Sequence, residues 1–360
     1  MKILKRTAAV LMALLLAATT AACSGDKSWA AKDDSQDLTL PIGVYIYELY
    51  AAYGSASNSV PDTAKPVIGQ KIDGKDAETW IRDKALDNTK SILVIDRKMK
   101  ELKLSLTKDE NKSVESLTSS GWQQMQSTLE GHGVAKASFQ TAYADYYTKY
   151  AKVFNALYGK DGSKAVSDTE LKDYFEKNYT DFSYLVLPLY KTDSKGSTAV
   201  MTDAEKKTAE KEFDDYAAKI KSGDMTLRQA ADAYKKSTKA TEDPLQSDTA
   251  ALGSDSNYPD NFKKLLEPLK TGEAATGELS GTYSLYLLVQ KNDITKKTDD
   301  ELKNSRSSLL SAMKGKEFAD AVEKEAQSLT GVTLNDKAIE SYSPSLFADA
   351  FTSSSEAASE

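Results

Sequence analysis

The chain has 360 residues, of which 28% are charged and 40% hydrophobic, enough for two globular domains with cores of their own. A formal net charge of -7 argues against nucleic acid as a partner and against a polybasic membrane patch. The single cysteine, Cys23, rules out an intrachain disulfide, and the single histidine, His132, rules out a histidine-based metal cluster.

Residues 1–23 open with Lys2, Lys5 and Arg6, continue through an apolar run at Ala8–Ala18 and close on small residues before Cys23. The run is too short to span a bilayer and has the form of a secretion signal. Thr20-Ala21-Ala22-Cys23 resembles a bacterial lipoprotein signal. That resemblance implies cleavage before Cys23, a diacylglycerol on its thiol, and an extracytoplasmic protein anchored by lipid to the bacterial cell membrane. Residues 1–22 are then a signal peptide, and its loss makes the mature chain more acidic. Residues 23–36 read as a polar tether.

Leu38–Leu40 reads as a short strand, and Pro41 suits the first turn of the helix that follows. That helix is apolar-rich, with Val44, Tyr45, Tyr47, Glu48, Leu49 and Tyr53. Pro61, Pro66, Gly69 and Gly74 mark a loop over 58–76. Trp80, Ile81, Ala85, Ile92, Ile95, Met99 and Leu102 recur at helical spacing and predict a long amphipathic helix from Ala77 to about Leu104. Thr107 and Glu110 form a capping box for the next helix, which runs to Gly131. His132, between two glycines, reads as a solvated turn residue. A third helix over 135–158 is crowded with Tyr143, Tyr146, Tyr147, Tyr150, Phe154 and Tyr158.

Ser167 and Glu170 form a second capping box and open a short helix. Residues 181–190 then hold an apolar run, Leu185, Val186, Leu187 and Leu189, of strand length and strand composition. Thr202 with Glu205, and Thr226 with Gln229, start two more helices. Residues 237–257 are polar and turn-rich. Phe262, Leu265 and Leu266 lie on a short helix, and 282–291 is a second strand with Leu285, Leu287 and Val289 on one face. Helix returns over 299–328, and Val332–Leu334 reads as a last strand paired with Leu38–Leu40. The tail, 348–360, is rich in Ser, Glu and Ala and is expected to be disordered.

The pattern is α+β. A helical domain, 37–179 with 298–347, surrounds an inserted small α/β domain, 180–297. No alternating βαβ series occurs, which weighs against a periplasmic-binding-protein architecture. The sequence has no Gly-rich phosphate loop, Cys-x-x-Cys or Gly-x-Ser-x-Gly, so no cofactor is expected.

Six segments in this order carry a further likeness. They are Val166–Phe175, Phe182–Leu187, Ala217–Ala231, Leu252-Gly253, Phe262–Glu273 and Tyr283–Gln290. Over 37–342 the chain resembles the SurA/PrsA type of extracytoplasmic foldase. In that family, N-terminal helices and one C-terminal helix build a chaperone domain around an inserted parvulin-type peptidyl-prolyl isomerase domain. The segments are similar, in turn, to the helix leading into the parvulin domain, its first strand, its two helices, its Gly-rich loop, its short helix and its last strand. Active parvulins carry a histidine on the first and on the last strand. The resemblance sets Tyr184 and Tyr286 at those places, with Phe262 and Leu266 beside them. Tyrosine can donate a hydrogen bond but does not titrate near neutral pH, so the resemblance implies a degenerate pocket.

The leading expectation is a membrane-anchored extracytoplasmic chaperone that binds unfolded or nascent exported polypeptides, with its parvulin-like domain weak or inactive and with no metal or cofactor. The first alternative is an active prolyl isomerase. Isomerisation has a barrier of ~18–20 kcal/mol, lowered by twisting and desolvating the imide, and strictly requires no nucleophile. The second is a solute-binding lipoprotein. Tyr143, Tyr147, Tyr150 and Phe154 carry two readings: ordinary helix packing, or a cradle for unfolded segments in which aromatic rings offer area at low entropy cost.

Overall fold

The computed structural model describes residues 28–192, 195–253, 258–280 and 284–352. Cys23 and the signal segment lie outside the described residues. β1 (Trp29–Asp33) and β2 (Leu38–Pro41) lead into α1 (Ile42–Ser57). A small hairpin, β3 (Lys71–Ile72) and β4 (Lys75–Asp76), precedes α2 (Ala77–Glu101) and α3 (Lys108–Glu130). A short α4 (Lys136–Phe139), a wide π turn (Gln140–Asp145) and α5 (Tyr146–Tyr158) run on as one helical stretch, and α6 (Asp168–Asn178) follows.

Next come β5 (Thr180–Pro188), the hairpin β6 (Tyr190–Thr192) and β7 (Thr198–Val200), then α7 (Asp203–Ser222) and α8 (Leu227–Thr238). After them lie β8 (Gln246–Ala250), α9 (Asp260–Leu266), β9 (Ala274–Leu279) and β10 (Leu285–Lys291). The chain closes through α10 (Thr295–Gln327), β11 (Val332–Leu334), α11 (Asp336–Glu340) and α12 (Ala348–Thr352).

Two units emerge: Met1–Ala165 with Lys314–Glu360, and Val166–Met313. The first is mainly helical. Its centre is α1, on which Val44, Tyr45, Ile46, Tyr47, Glu48 and Leu49 are all buried in succession. A helix apolar on every side must be covered on every side. The cover comes from α2, the π turn and its flanking helices, and the C-terminal residues Ile339 and Phe347. Phe351 of α12 stacks 5.4 Å from Tyr53 and lies 5.1 Å from Tyr50. Residues 348–352 are therefore a docked helix where the composition suggested a disordered tail. His132 is also less open than a turn residue should be, since its ring lies 4.9 Å from Phe347.

A three-stranded antiparallel sheet of order β11-β1-β2 closes this unit. The sequence pairs Leu38–Leu40 directly with Val332–Leu334. In the structure β1 lies between them, with Ala31 opposite both Leu40 and Leu334. β1 falls inside the stretch that reads as tether, because Lys32 and Asp33 mask its apolar Trp29-Ala30-Ala31. Asp33 is buried and accepts a 2.7 Å hydrogen bond from Arg97 Nε. That bond holds its carboxyl well below the usual carboxylate range.

The second unit is built on a four-stranded antiparallel sheet of order β8-β5-β10-β9. Strand alternation gives it two apolar faces. Leu185, Leu187, Leu189 and Leu288 pack against Phe213, Tyr216 and Ile220 of α7 and Tyr234 of α8. Phe182, Leu287 and Val289 pack against Phe262 and Leu266 of α9. α7 ends at Gly223, whose φ of 84° is a left-handed value that an L side chain resists, and Asp224 N–H closes the turn on Lys219 O at 2.9 Å.

The helix α6 and the first part of α10 belong to this unit, although sequence pattern groups them with the helical domain. Arg306 donates to Asp168 at 2.9 Å and to the Val166 carbonyl at 2.7 Å. Thr298, fully buried, donates to Glu176 at 2.9 Å. Ser305 is non-helical within α10.

Candidate functional site

Two regions hold the residues singled out by sequence, one in each unit. In the sheet unit, Tyr184 sits on β5 opposite Val289 of β10 and Gln246 of β8. Its ring lies 6.0 Å from Phe182 and 6.3 Å from Phe262. Tyr258 stacks on Phe262 at 4.9 Å and donates its hydroxyl to Asp248. Leu266 belongs to the same cluster. Burial raises the Tyr184 hydroxyl above its ordinary pKa, so it stays protonated.

Tyr286 is not part of this group. It pairs with Leu187, an odd number of residues from Val289, the residue opposite Tyr184, and so points to the other face of the sheet. There its hydroxyl donates to Asp214 of α7 at 2.7 Å, and Thr276 donates to the same oxygen at 2.6 Å. Burial, with the Asp214 carboxylate beside it, pushes Tyr286 up to about 12. On β10, Leu285, Leu287, Val289 and Lys291 share the Tyr184 face, and Leu287 and Val289 are buried. The structure thus brings together Tyr184, Phe262 and Leu266 and separates Tyr286 from them. The described side chains on the Tyr184 face are mainly apolar, with the phenols of Tyr184 and Tyr258 and, from β8, Gln246 and Asp248.

In the helical unit the aromatic residues of 139–158 divide by depth. Phe154 is core: it lies 5.6 Å from Phe318 and 5.2 Å from Tyr158. Tyr143 stacks on Phe139 at 5.2 Å and meets Tyr47 edge-on at 6.5 Å. Tyr150 touches Phe318 with one face, centroids 4.6 Å apart, and lines a cavity with the rest of its ring. Tyr147 is 60% exposed and leans on Tyr143 at 5.4 Å and Tyr146 at 6.1 Å. Residues three and four apart on a helix are neighbours, which is why these rings meet. The π turn interrupts the α-helical register just before them, a device that recurs at functional sites.

Two cavities flank this aromatic ridge, and both are lined by Asn88, Tyr146 and Tyr147. The larger, about 350 Å³, adds Tyr150, Val322 and the ion pair of Lys84 with Glu323, 2.7 Å between charged atoms. The smaller, about 280 Å³, adds Tyr47, Glu48, Ala51, Ser55 and Ala142. Glu48 is 94% covered, being 6% exposed. Burial is the main reason its carboxyl rises to about 8, against a smaller opposing pull from its hydrogen bond with Asn88 and from the Lys84 charge. At neutral pH it is mostly an uncharged acid. Burial also raises Tyr47 and Tyr146.

Sequence reasoning placed Glu48 on α1 as one more member of an apolar-rich run and gave it no role. The available signal was its solitude: it is the one charged residue between Ile42 and Ala56. Tyr146 is one aromatic residue among many on the 135–158 helix, and nothing in the sequence sets Asn88 apart.

No protein-family model matches the chain, and no curated protein matches it. Solved structures do. The foldase protein PrsA from Lactococcus lactis is 17% identical, with a TM-score of 0.38, over 91% of this chain and 100% of that one. PrsA from Streptococcus pneumoniae is 14% identical, with a TM-score of 0.38, over 75% of this chain and 96% of that one. A structure described among the SurA-like chaperones of Campylobacter jejuni is 14% identical, with a TM-score of 0.26, over 86% of this chain and 99% of that one. The structural neighbours are PrsA/SurA-like foldases.

Proposed function

We propose that this chain is an extracytoplasmic chaperone that holds segments of unfolded exported polypeptides in the tyrosine-lined groove of its helical unit. The observation that carries the reading is the ridge of Tyr146, Tyr147 and Tyr150 between two open cavities, with Tyr147 exposed and supported by other rings. Exposed aromatic rings on a supported face offer apolar area to diverse chains, and a nearby hydroxyl or amide can take up stray backbone groups. The groove needs no cofactor for this. Attachment to the membrane through a lipid on Cys23 belongs to the same proposal and rests on the signal-like sequence alone.

The test is suppression of aggregation of a denatured client by the soluble mature form. Tyr147→Ala should lose more than half of the suppression while its thermal midpoint stays within about 2 °C, since truncating an exposed side chain changes stability by about 0.5 kcal/mol or less. Full suppression by this variant would remove the groove from the reading.

We also propose that the sheet unit is weak or inactive as a prolyl isomerase. What supports this is Tyr286 turned away from Tyr184, whose own face of the sheet is packed by Leu287, Val289 and Leu266, with the Tyr258 hydroxyl already donated to Asp248. A fluorescence assay of proline isomerisation in a short peptide should give rates within about twofold of the uncatalysed ones, which relax over tens to hundreds of seconds. Relaxation completed within a second at micromolar protein would establish the enzymatic alternative.

A further inference from the structure

The smaller cavity differs from a plain apolar groove in one respect. Glu48 lines it and has no ion pair among the described residues. The cation that acts on it, Lys84, is already held by Glu323 at 2.7 Å. A buried carboxyl with no cation in contact is costly in its charged form and so is held neutral. Around it stand the rings of Tyr47, Tyr146 and Tyr147, and aromatic faces attract cations within about 6 Å. An acid and three phenols lining one cavity are chemically complementary to an ammonium or guanidinium group on a slender apolar stem.

We propose that this cavity receives a lysine or arginine side chain of a bound polypeptide, with the Glu48 carboxyl at its floor and the rings of Tyr47, Tyr146 and Tyr147 around it. The proposal rests on the polypeptide-binding reading above and sharpens it: the groove selects segments in which a cation stands beside apolar or aromatic residues. At a volume of about 280 Å³ the cavity has room for one such side chain. The entering cation favours the ionised acid. Glu48 gives its proton to water, keeps the electron pair, and forms an ion pair walled off by the tyrosines.

Few charged or titratable groups among the described residues face Glu48. Tyr47 belongs to its own helix, Lys84 comes from α2, and Tyr146 and Tyr147 come from α5. Burial raises Tyr47 and Tyr146, so these phenols stay protonated at neutral pH. Lys84 is held by Glu323. Proton release on binding near pH 7 therefore belongs to Glu48.

The experiment uses the soluble mature chain and two labelled, unstructured peptides that differ at one position, lysine in one and norleucine in the other, flanked by leucine and tyrosine. Fluorescence anisotropy at pH 7 should show the lysine peptide binding about tenfold more tightly. Glu48→Gln should erase that factor and bring the two peptides to equal affinity. Calorimetry of the lysine peptide in phosphate and in Tris should report close to one proton released by the wild-type chain and none by Glu48→Gln.

Equal affinities for the two peptides overturn the cation site and leave the polypeptide groove standing. So does a preference that survives Glu48→Gln. If neither peptide binds, both readings fall together. Butylammonium should compete only at millimolar concentration. Competition at the lysine peptide's own concentration would reassign the cavity to a small cationic solute.

Discussion

Glu48→Gln should remove a loss of stability that the wild-type chain suffers as pH rises from about 4.5 to about 8. The folded chain holds Glu48 as a neutral acid, raised to about 8, whereas in the unfolded chain it ionises near 4.5. Between these values the folded state binds one proton more than the unfolded state. Stability then falls with rising pH, by about 1.4 kcal/mol per unit while the difference is complete. Below 4.5 both states are protonated and the contribution is fully present; above 8 it is gone. The total over the window is roughly 3–5 kcal/mol. Glutamine keeps the shape and the hydrogen bonding to Asn88 and cannot ionise. Urea midpoints followed from pH 5 to pH 9 should converge for the two proteins at the acid end and diverge steadily towards the alkaline end, with the variant the more stable. Asp145 is also raised by burial and adds slope of the same sign, but it does so in both proteins and cancels in the difference. Parallel curves would mean that Glu48 is solvated and charged.

The same residue shows where sequence reasoning stops. Helix starts were legible because their signal is local: Thr107, Ser167, Thr202 and Thr226 each accept from the backbone of the residue three positions on, as a capping box requires. The apolar run of β5 was legible because it is buried on both faces. β8, Gln-Ser-Asp-Thr-Ala, was not, because an edge strand can be polar and is defined by the backbone it pairs with, here residues 180–184. β9, Ala-Ala-Thr-Gly-Glu-Leu, is the other edge and equally featureless in composition. The separation of Tyr184 from Tyr286 depends on the register of β5 against β10, and a motif match carries no register. The depth of the tyrosines on the 135–158 helix depends on which of them Phe318 covers, and Phe318 lies more than 150 residues further along the chain.

Phe318→Ala should lower the stability of the helical unit by about 3–5 kcal/mol, the usual cost of deleting a buried aromatic ring. Phe318 is 2% exposed, and its ring sits among three others: Tyr150 at 4.6 Å, Phe154 at 5.6 Å and Tyr158 at 6.2 Å. Its neighbour Glu317 accepts a 3.0 Å hydrogen bond from the Tyr158 hydroxyl, so one turn of α10 fixes the end of α5 in two ways. Residues 314–352 are thus part of the same core as α1 to α5, and a ring removed there weakens helices encoded far upstream. The protein supplies its own probe. Its three tryptophans, Trp29, Trp80 and Trp122, all fall in Met1–Ala165. Tryptophan emission therefore follows the helical unit, while far-ultraviolet circular dichroism follows both. With Phe318→Ala the emission midpoint should move to lower denaturant, and the part of the circular dichroism signal due to Val166–Met313 should keep its wild-type midpoint. Phe318→Leu, which refills most of the volume, should recover more than half of the loss. A shift in emission below about 1 kcal/mol for the alanine variant would show that the C-terminal segment is not a structural member of the helical unit, and the wall it gives to the Tyr150 cavity would go with it.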